Sequence, residues 1–120
     1  MGPLLIVEDD PSTQQAVLAM LEELGHEDAS VAGDGIEAIE SLREAAADLM
    51  MLDLMMPRMD GFELLRELRK GSVPRPGHII VMSAHANADD QASVKVLGAD
   101  QFISKPFTLE QLEQALDSID

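Results

Sequence analysis

The chain reads as an α/β protein, a doubly wound five-stranded parallel sheet with helices on both faces. Three observations predict it. Short, continuously apolar runs alternate with amphipathic stretches from end to end, the pattern of strands covered on both faces. Helix-start signals fall between them at regular intervals. The 120 residues, 46% of them hydrophobic, suit one compact domain over residues 1–120 with no length for a second.

The elements follow in order. A first strand over residues 4–7 precedes a helix striped by Val17, Leu18, Leu21 and Leu24, with Ser12 and Gln15 at capping-box spacing. A weak strand at 29–31 leads to a helix carrying Ile36, Ile39 and Leu42, opened by Asp34 with Glu37. The third strand, 49–52, gives way to a helix with Leu64, Leu65 and Leu68 behind Asp60 and Glu63. Pro74 and Pro76 mark a rigid turn before the fourth strand, 79–82. Val94 and Leu97 form a weaker helical stripe. A short strand at 101–103 and a helix with Leu109, Leu112, Leu116 and Ile119, behind Thr108 and Gln111, close the chain. Gly25, Gly71 and Gly98 fall where helices one, three and four should stop. Right-handed crossovers turn this order into a parallel sheet, expected as 2-1-3-4-5.

Composition narrows the function. Cysteine is absent, which removes disulfides, zinc–thiolate sites and cysteine nucleophiles. The formal charge of −15 repels nucleic acid phosphates and anionic lipid, so neither is expected as a direct partner. MGPLLIVEDD lacks the basic and long apolar segments of a signal peptide. Met1-Gly2 is no convincing lipidation start before Pro3, and no apolar run approaches the roughly 20 residues that span a bilayer. A cytoplasmic location is expected.

Four of the strands run straight into reactive side chains. Strand one ends at Glu8-Asp9-Asp10, strand three at Asp53, strand four at Ser83, and strand five is followed by Lys105. In open α/β sheets these carboxyl ends form one ligand-binding rim. With strands one and three adjacent, Asp9, Asp10 and Asp53 converge, and clustered carboxylates persist by sharing protons or holding a cation. All-oxygen ligands with room for water suit Mg²⁺. An ordinary helix-start carboxylate is the competing reading of Asp10. Asp53 follows four apolar residues in a central strand, where a solvated surface role does not explain it. Lys105, the last basic residue, could pair with Asp53 at rest and with a phosphoryl oxygen later. Together the groups specify attack of the Asp53 carboxylate on phosphorus, with Ser83 donating a hydrogen bond to the phosphoryl group.

LLIVEDD, LMMLDLMMPRMDG, VMSA and GADQFISKPF, with 43 and 44 residues from Asp10 and Asp9 to Asp53, 30 on to Ser83 and 22 on to Lys105, are similar to the bacterial two-component response-regulator receiver domain, chemotaxis-regulator-like. The resemblance spans essentially the whole chain. It implies a flavodoxin-like (βα)5 fold and phosphorylation of Asp53 by a histidine kinase or histidine phosphotransfer partner. Asp10, Asp53 and the Met55 carbonyl would ligate Mg²⁺, for which Mn²⁺ could substitute, with Asp9 acting mainly through water. Lys105 would bridge to the phosphoryl group, across a cis Lys105–Pro106 bond. Ser83 and Phe102 would form a switch changing the surface of helix four, strand five and helix five, with phosphorylation-dependent homodimerisation left open. Such a domain has autophosphatase chemistry without being a conventional turnover enzyme.

Phe102 stands where the family often has tyrosine, and Ser83 where it often has threonine. Met55 and His85 occupy positions like the family's rate-tuning sites, and an apolar Met55 implies slow autodephosphorylation. The alternative is a receiver-shaped interaction module that is never phosphorylated. An aspartate-nucleophile phosphatase would want a second aspartate at position 55, and a nucleotide-binding domain a glycine-rich loop after strand one; the chain has neither. His26 and His78 offer no metal-ligand spacing.

Overall fold

The computed structural model describes residues 2–84 and 87–119. Among these, strands and helices alternate: β1 Leu4–Val7, α1 Pro11–Glu23, β2 Ala29–Ala32, α2 Gly35–Glu44, β3 Leu49–Asp53, α3 Gly61–Arg69, β4 His78–Ser83, α4 Ala88–Val96, β5 Gln101–Ser104 and α5 Leu109–Asp117. All strand pairings are parallel, in the order β2-β1-β3-β4-β5. This is the flavodoxin-like (βα)5 fold that the sequence predicts.

The alternation of side chains along the strands builds two cores. Leu4 and Ile6 of β1, with Leu49 and Met51 of β3, face Val17 and Leu21 of α1 and Leu112 and Leu116 of α5. Leu5, Val7, Met50 and Leu52 face the opposite layer, where Leu42 of α2, Leu64 and Leu68 of α3 and Val94 of α4 cover them. Burying each such leucine contributes about 1.5–3 kcal/mol, so no strand position can slip by one without exchanging its two faces. The two edge strands are less covered: Ser30 and Val31 of β2 and Ser104 of β5 are exposed, and the weak apolar signal of β2 reflects that.

The helix starts follow the expected chemistry with three differences. Asp60 with Glu63, and Thr108 with Gln111, form complete capping boxes. Asp34 accepts from the Glu37 amide, but the Glu37 carboxylate reaches back to Gly33 N–H. α1 is capped by Asp10, with Pro11 at its first position, two residues ahead of the expected Ser12. α4 adds an Asn87–Asp90 box to those expected. Gly25, Gly71 and Gly98 follow their helices at φ of +92°, +81° and +107°. No helix among the described residues is long and apolar enough to cross a membrane.

Candidate functional site

The register between β1 and β3 builds the site. Val7 is level with Leu52, so the next residues, Glu8 just past β1 and Asp53 at the end of β3, come side by side. The Glu8 amide donates to Ala32 O at 3.0 Å, which carries the β1–β2 ladder one residue past the strand. Both carboxylates are buried, Glu8 to 1% and Asp53 to 5% exposure. Carboxylate oxygens of Glu8, Asp9 and Asp53 all lie within 4.8 Å of one another, with Asp9 on the solvent side.

Lys105 enters from the other end of the rim. Its backbone N–H donates to Ser83 O at 3.0 Å, fixing the loop after β5 against the end of β4. Its Nζ donates to Glu8 Oε1 and stands 3.5 Å from Asp53 Oδ2. Burial disfavours the charged lysine, but the hydrogen bond to Glu8 and the charges of Asp53 and Glu8 outweigh it and hold the ammonium above its ordinary 10.5. Partial desolvation, with the hydrogen bond and charge of Glu8, pushes the Asp9 carboxyl above 3.8. One ammonium against three carboxylates leaves the cluster short of positive charge. An all-oxygen donor set open to water on one side fits a small hard cation such as Mg²⁺.

Asp10, expected as a direct ligand, is used elsewhere. Its Oδ2 accepts from Thr13 N–H at 2.9 Å and from the Thr13 hydroxyl at 2.6 Å, capping α1. Those two bonds hold its carboxyl below 3.8. The third carboxylate of the cluster is instead Glu8, which the sequence shows at the strand end without assigning it a role. Two signals pointed to it. Glu8 directly follows four apolar strand residues, as Asp53 does, and Pro11 marks Asp10 as the residue before a helix start.

The other expected residues lie around this centre. Ser83 is buried at the end of β4. Phe102, level with Val81, is half-buried against the α2–α3–α4 layer. Met55 is exposed in the loop after β3, while Met56 and Met59 pack on the core. The Lys105–Pro106 bond is cis. His85 lies outside the described residues. His78 approaches Gln101 and Asp100, away from the rim. A largely apolar groove of about 400 Å³ borders the cluster, walled by Thr13, Ala16 and Met20 of α1 and by Ala84, Pro106 and Phe107, with Lys105 at its edge.

The sequence pattern described as the response regulator receiver domain matches residues 4–117. The chain is 34% identical over 119 residues to the transcriptional regulatory protein CiaR of Streptococcus pneumoniae, covering 99% of this chain and 51% of that protein. It is 35% identical over 109 residues to the response regulator MprA of Mycobacterium ulcerans, covering 91% and 46%. The chain thus spans about half the length of the curated relatives it matches. Among solved structures, the chemotaxis protein CheY4 of Vibrio cholerae superposes with a TM-score of 0.89 at 30% identity, covering 100% of this chain and 99% of that one. The receiver domain of a sensor histidine kinase from Pseudomonas aeruginosa, whose structure has a magnesium ion coordinated in the active-site cleft, gives 0.83 at 30% identity over 98% and 96%.

Proposed function

The chain belongs to the response regulator receiver domain family, and from that we propose that it is a signalling switch phosphorylated on Asp53 in a Mg²⁺-dependent reaction. The observation that carries the reading is the juxtaposition of Asp53 with Glu8, Asp9 and Lys105 at one rim of the sheet. The bound Mg²⁺ would offset negative charge on the phosphoryl oxygens. Asp9 and Asp53, with the Met55 carbonyl, are the groups to hold it, and Glu8, already paired with Lys105, acts through water. Asp10 is left to its helix. Mn²⁺ offers the same preference for oxygen ligands.

In this mechanism a carboxylate oxygen of Asp53 attacks the phosphorus of a phosphohistidine. The new O–P bond forms as the P–N bond breaks, and the electron pair leaves on the imidazole nitrogen. Lys105 exchanges part of its contact with the two carboxylates for a phosphoryl oxygen, and Ser83 donates its hydroxyl. Hydrolysis then breaks the acyl phosphate, releasing inorganic phosphate and restoring the carboxylate. Among the described residues no imidazole reaches the cluster to act as general base for that water, and Glu8 is taken up by Lys105 and Asp9 by the metal, which suits a slow switch. Reorientation of Ser83 and Phe102 would bias the α4-β5-α5 face between two states. The phosphodonor is a histidine kinase or phosphotransfer protein, and the apolar groove beside Lys105 is a surface such a protein can cover.

The test is incubation with acetyl phosphate, with and without Mg²⁺, followed by intact-mass measurement of wild type and Asp53→Asn. One added phosphoryl group on wild type, only with Mg²⁺, is expected. A wild type that gains none, or a variant that gains it equally, contradicts the assignment.

A further inference from the structure

Residues 54–60 join Asp53 to α3, and both ends of this loop are fixed. At its base Gly61 N–H donates to Leu54 O at 3.0 Å. A Cβ at Gly61 would stand 2.7 Å from the Asp53 carbonyl oxygen, so only glycine lets α3 begin this close to the phosphoacceptor's backbone. At its tip Met59 N–H donates to Pro57 O at 2.7 Å around Arg58, whose φ is +61°. This is the positive-φ form of the γ-turn, rare and strained, and the residue at its centre is neither glycine nor asparagine.

The Arg58 side chain ties that turn to a neighbouring helix. Its Nε donates to Asp34 Oδ2 at 2.6 Å, and its Nη2 lies 3.6 Å from Glu37 Oε2. The Asp34 carboxylate is only 6% exposed, and its other oxygen caps α2 through the Glu37 amide at 2.9 Å. Gly35 N–H donates to Met59 O at 3.0 Å, and a Cβ at Gly35 would meet the Met59 side chain at 2.6 Å. The loop tip therefore rests on the first turn of α2, an element that contributes nothing to the carboxylate cluster.

We infer that Arg58 is a positioning residue for the phosphoacceptor site, holding residues 54–56 in place through its ion pair with Asp34. Met55 is exposed between the two fixed ends, so its carbonyl keeps its place only if they do. The strained turn persists because the buried carboxylate rewards the one conformation that brings the guanidinium to it. The inference rests on the reading of Asp53 as a Mg²⁺-dependent phosphoacceptor and adds a residue outside the carboxylate–lysine set.

Titration calorimetry of MgCl₂ into the 120-residue chain tests it, alongside thermal unfolding without metal. Arg58→Ala and Arg58→Gly should each weaken Mg²⁺ binding about tenfold, the usual effect of losing a partner that orients ligands. Arg58→Lys should recover most of the affinity. Arg58→Gly removes strain together with the ion pair, so its melting temperature should stay near wild type; it carries the comparison if Arg58→Ala does not fold. Unchanged Mg²⁺ affinity in Arg58→Gly, whatever its melting temperature, overturns the inference. A wild type that binds no Mg²⁺ overturns the phosphoacceptor reading itself and this inference with it.

Discussion

The Lys105 ammonium stands 3.5 Å from the Asp53 carboxylate while donating a hydrogen bond to Glu8, so a single cation bridges the ends of β1 and β3. Glu8 and Asp53 are side by side because the β1–β3 register makes them so, and both are buried. Without the ammonium, their like charges would face each other unopposed.

Lys105→Met is therefore expected to destabilise the metal-free protein by about 3 kcal/mol, the cost of breaking a buried pair from one side. Urea unfolding at neutral pH without Mg²⁺ measures it. Wild-type stability in the variant would mean that the carboxylates do not depend on Lys105.

Asp53→Asn should act in the opposite direction. It removes one charge from the cluster and leaves the Lys105–Glu8 pair intact, so the metal-free variant gains about 1 kcal/mol over wild type, on the scale common when a functional site is relieved of strain. The same urea experiment decides this, and a less stable variant would contradict it.

Mg²⁺ should raise the stability of wild type by about 2.7 kcal/mol at a hundredfold excess over its dissociation constant. Glu8→Gln and Asp9→Asn should reduce that gain. Asp10→Asn should leave it unchanged, because asparagine caps a helix about as well as aspartate. Thermal shifts with and without MgCl₂ separate these outcomes, and a gain lost in Asp10→Asn would restore Asp10 to the metal site.

The Asp10 comparison also shows how far the sequence could be read. The continuous apolar runs 49–52 and 79–82 fixed the central strands, because a strand covered on both faces leaves no polar position. Asp53 and Lys105 were legible for the same reason: polar residues that terminate such runs land on the rim. Glu8-Asp9-Asp10 was harder. Three successive acids cross the handover from strand to helix, and which pair faces Asp53 depends on where α1 starts. The capping-box spacing places that start two residues late, at Ser12. The Arg58–Asp34 pair was not legible at all, since 24 residues separate its partners and only the packing of loop 54–60 on α2 joins them.

Acid should expose Asp34 in particular. Burial opposes its charge, yet the Glu37 amide and the Arg58 guanidinium outweigh burial and hold the carboxyl below 3.8. A depressed carboxyl contributes stability above its unfolded value and loses it as pH falls through the folded one. Unfolding free energies measured downward from pH 5 should therefore drop more steeply below about 3.8 in wild type than in Asp34→Asn. Parallel curves would show that this carboxylate is not coupled to folding.

Met55, 67% exposed beside Asp53, offers no polar group to an attacking water. Met55→Asn should shorten the lifetime of the phosphorylated protein several-fold, followed by intact mass after removal of donor. An unchanged or longer lifetime would remove Met55 from the rate-setting groups.

The most direct test of the account is where the phosphoryl group sits. Borohydride reduces an aspartyl phosphate to homoserine, so treatment after acetyl phosphate and Mg²⁺, followed by peptide mass spectrometry, reads the position. Reduction confined to residue 53, and absent when Mg²⁺ is withheld, is the predicted result. Reduction at any other carboxylate, or none in a protein that has taken up phosphate, would contradict it.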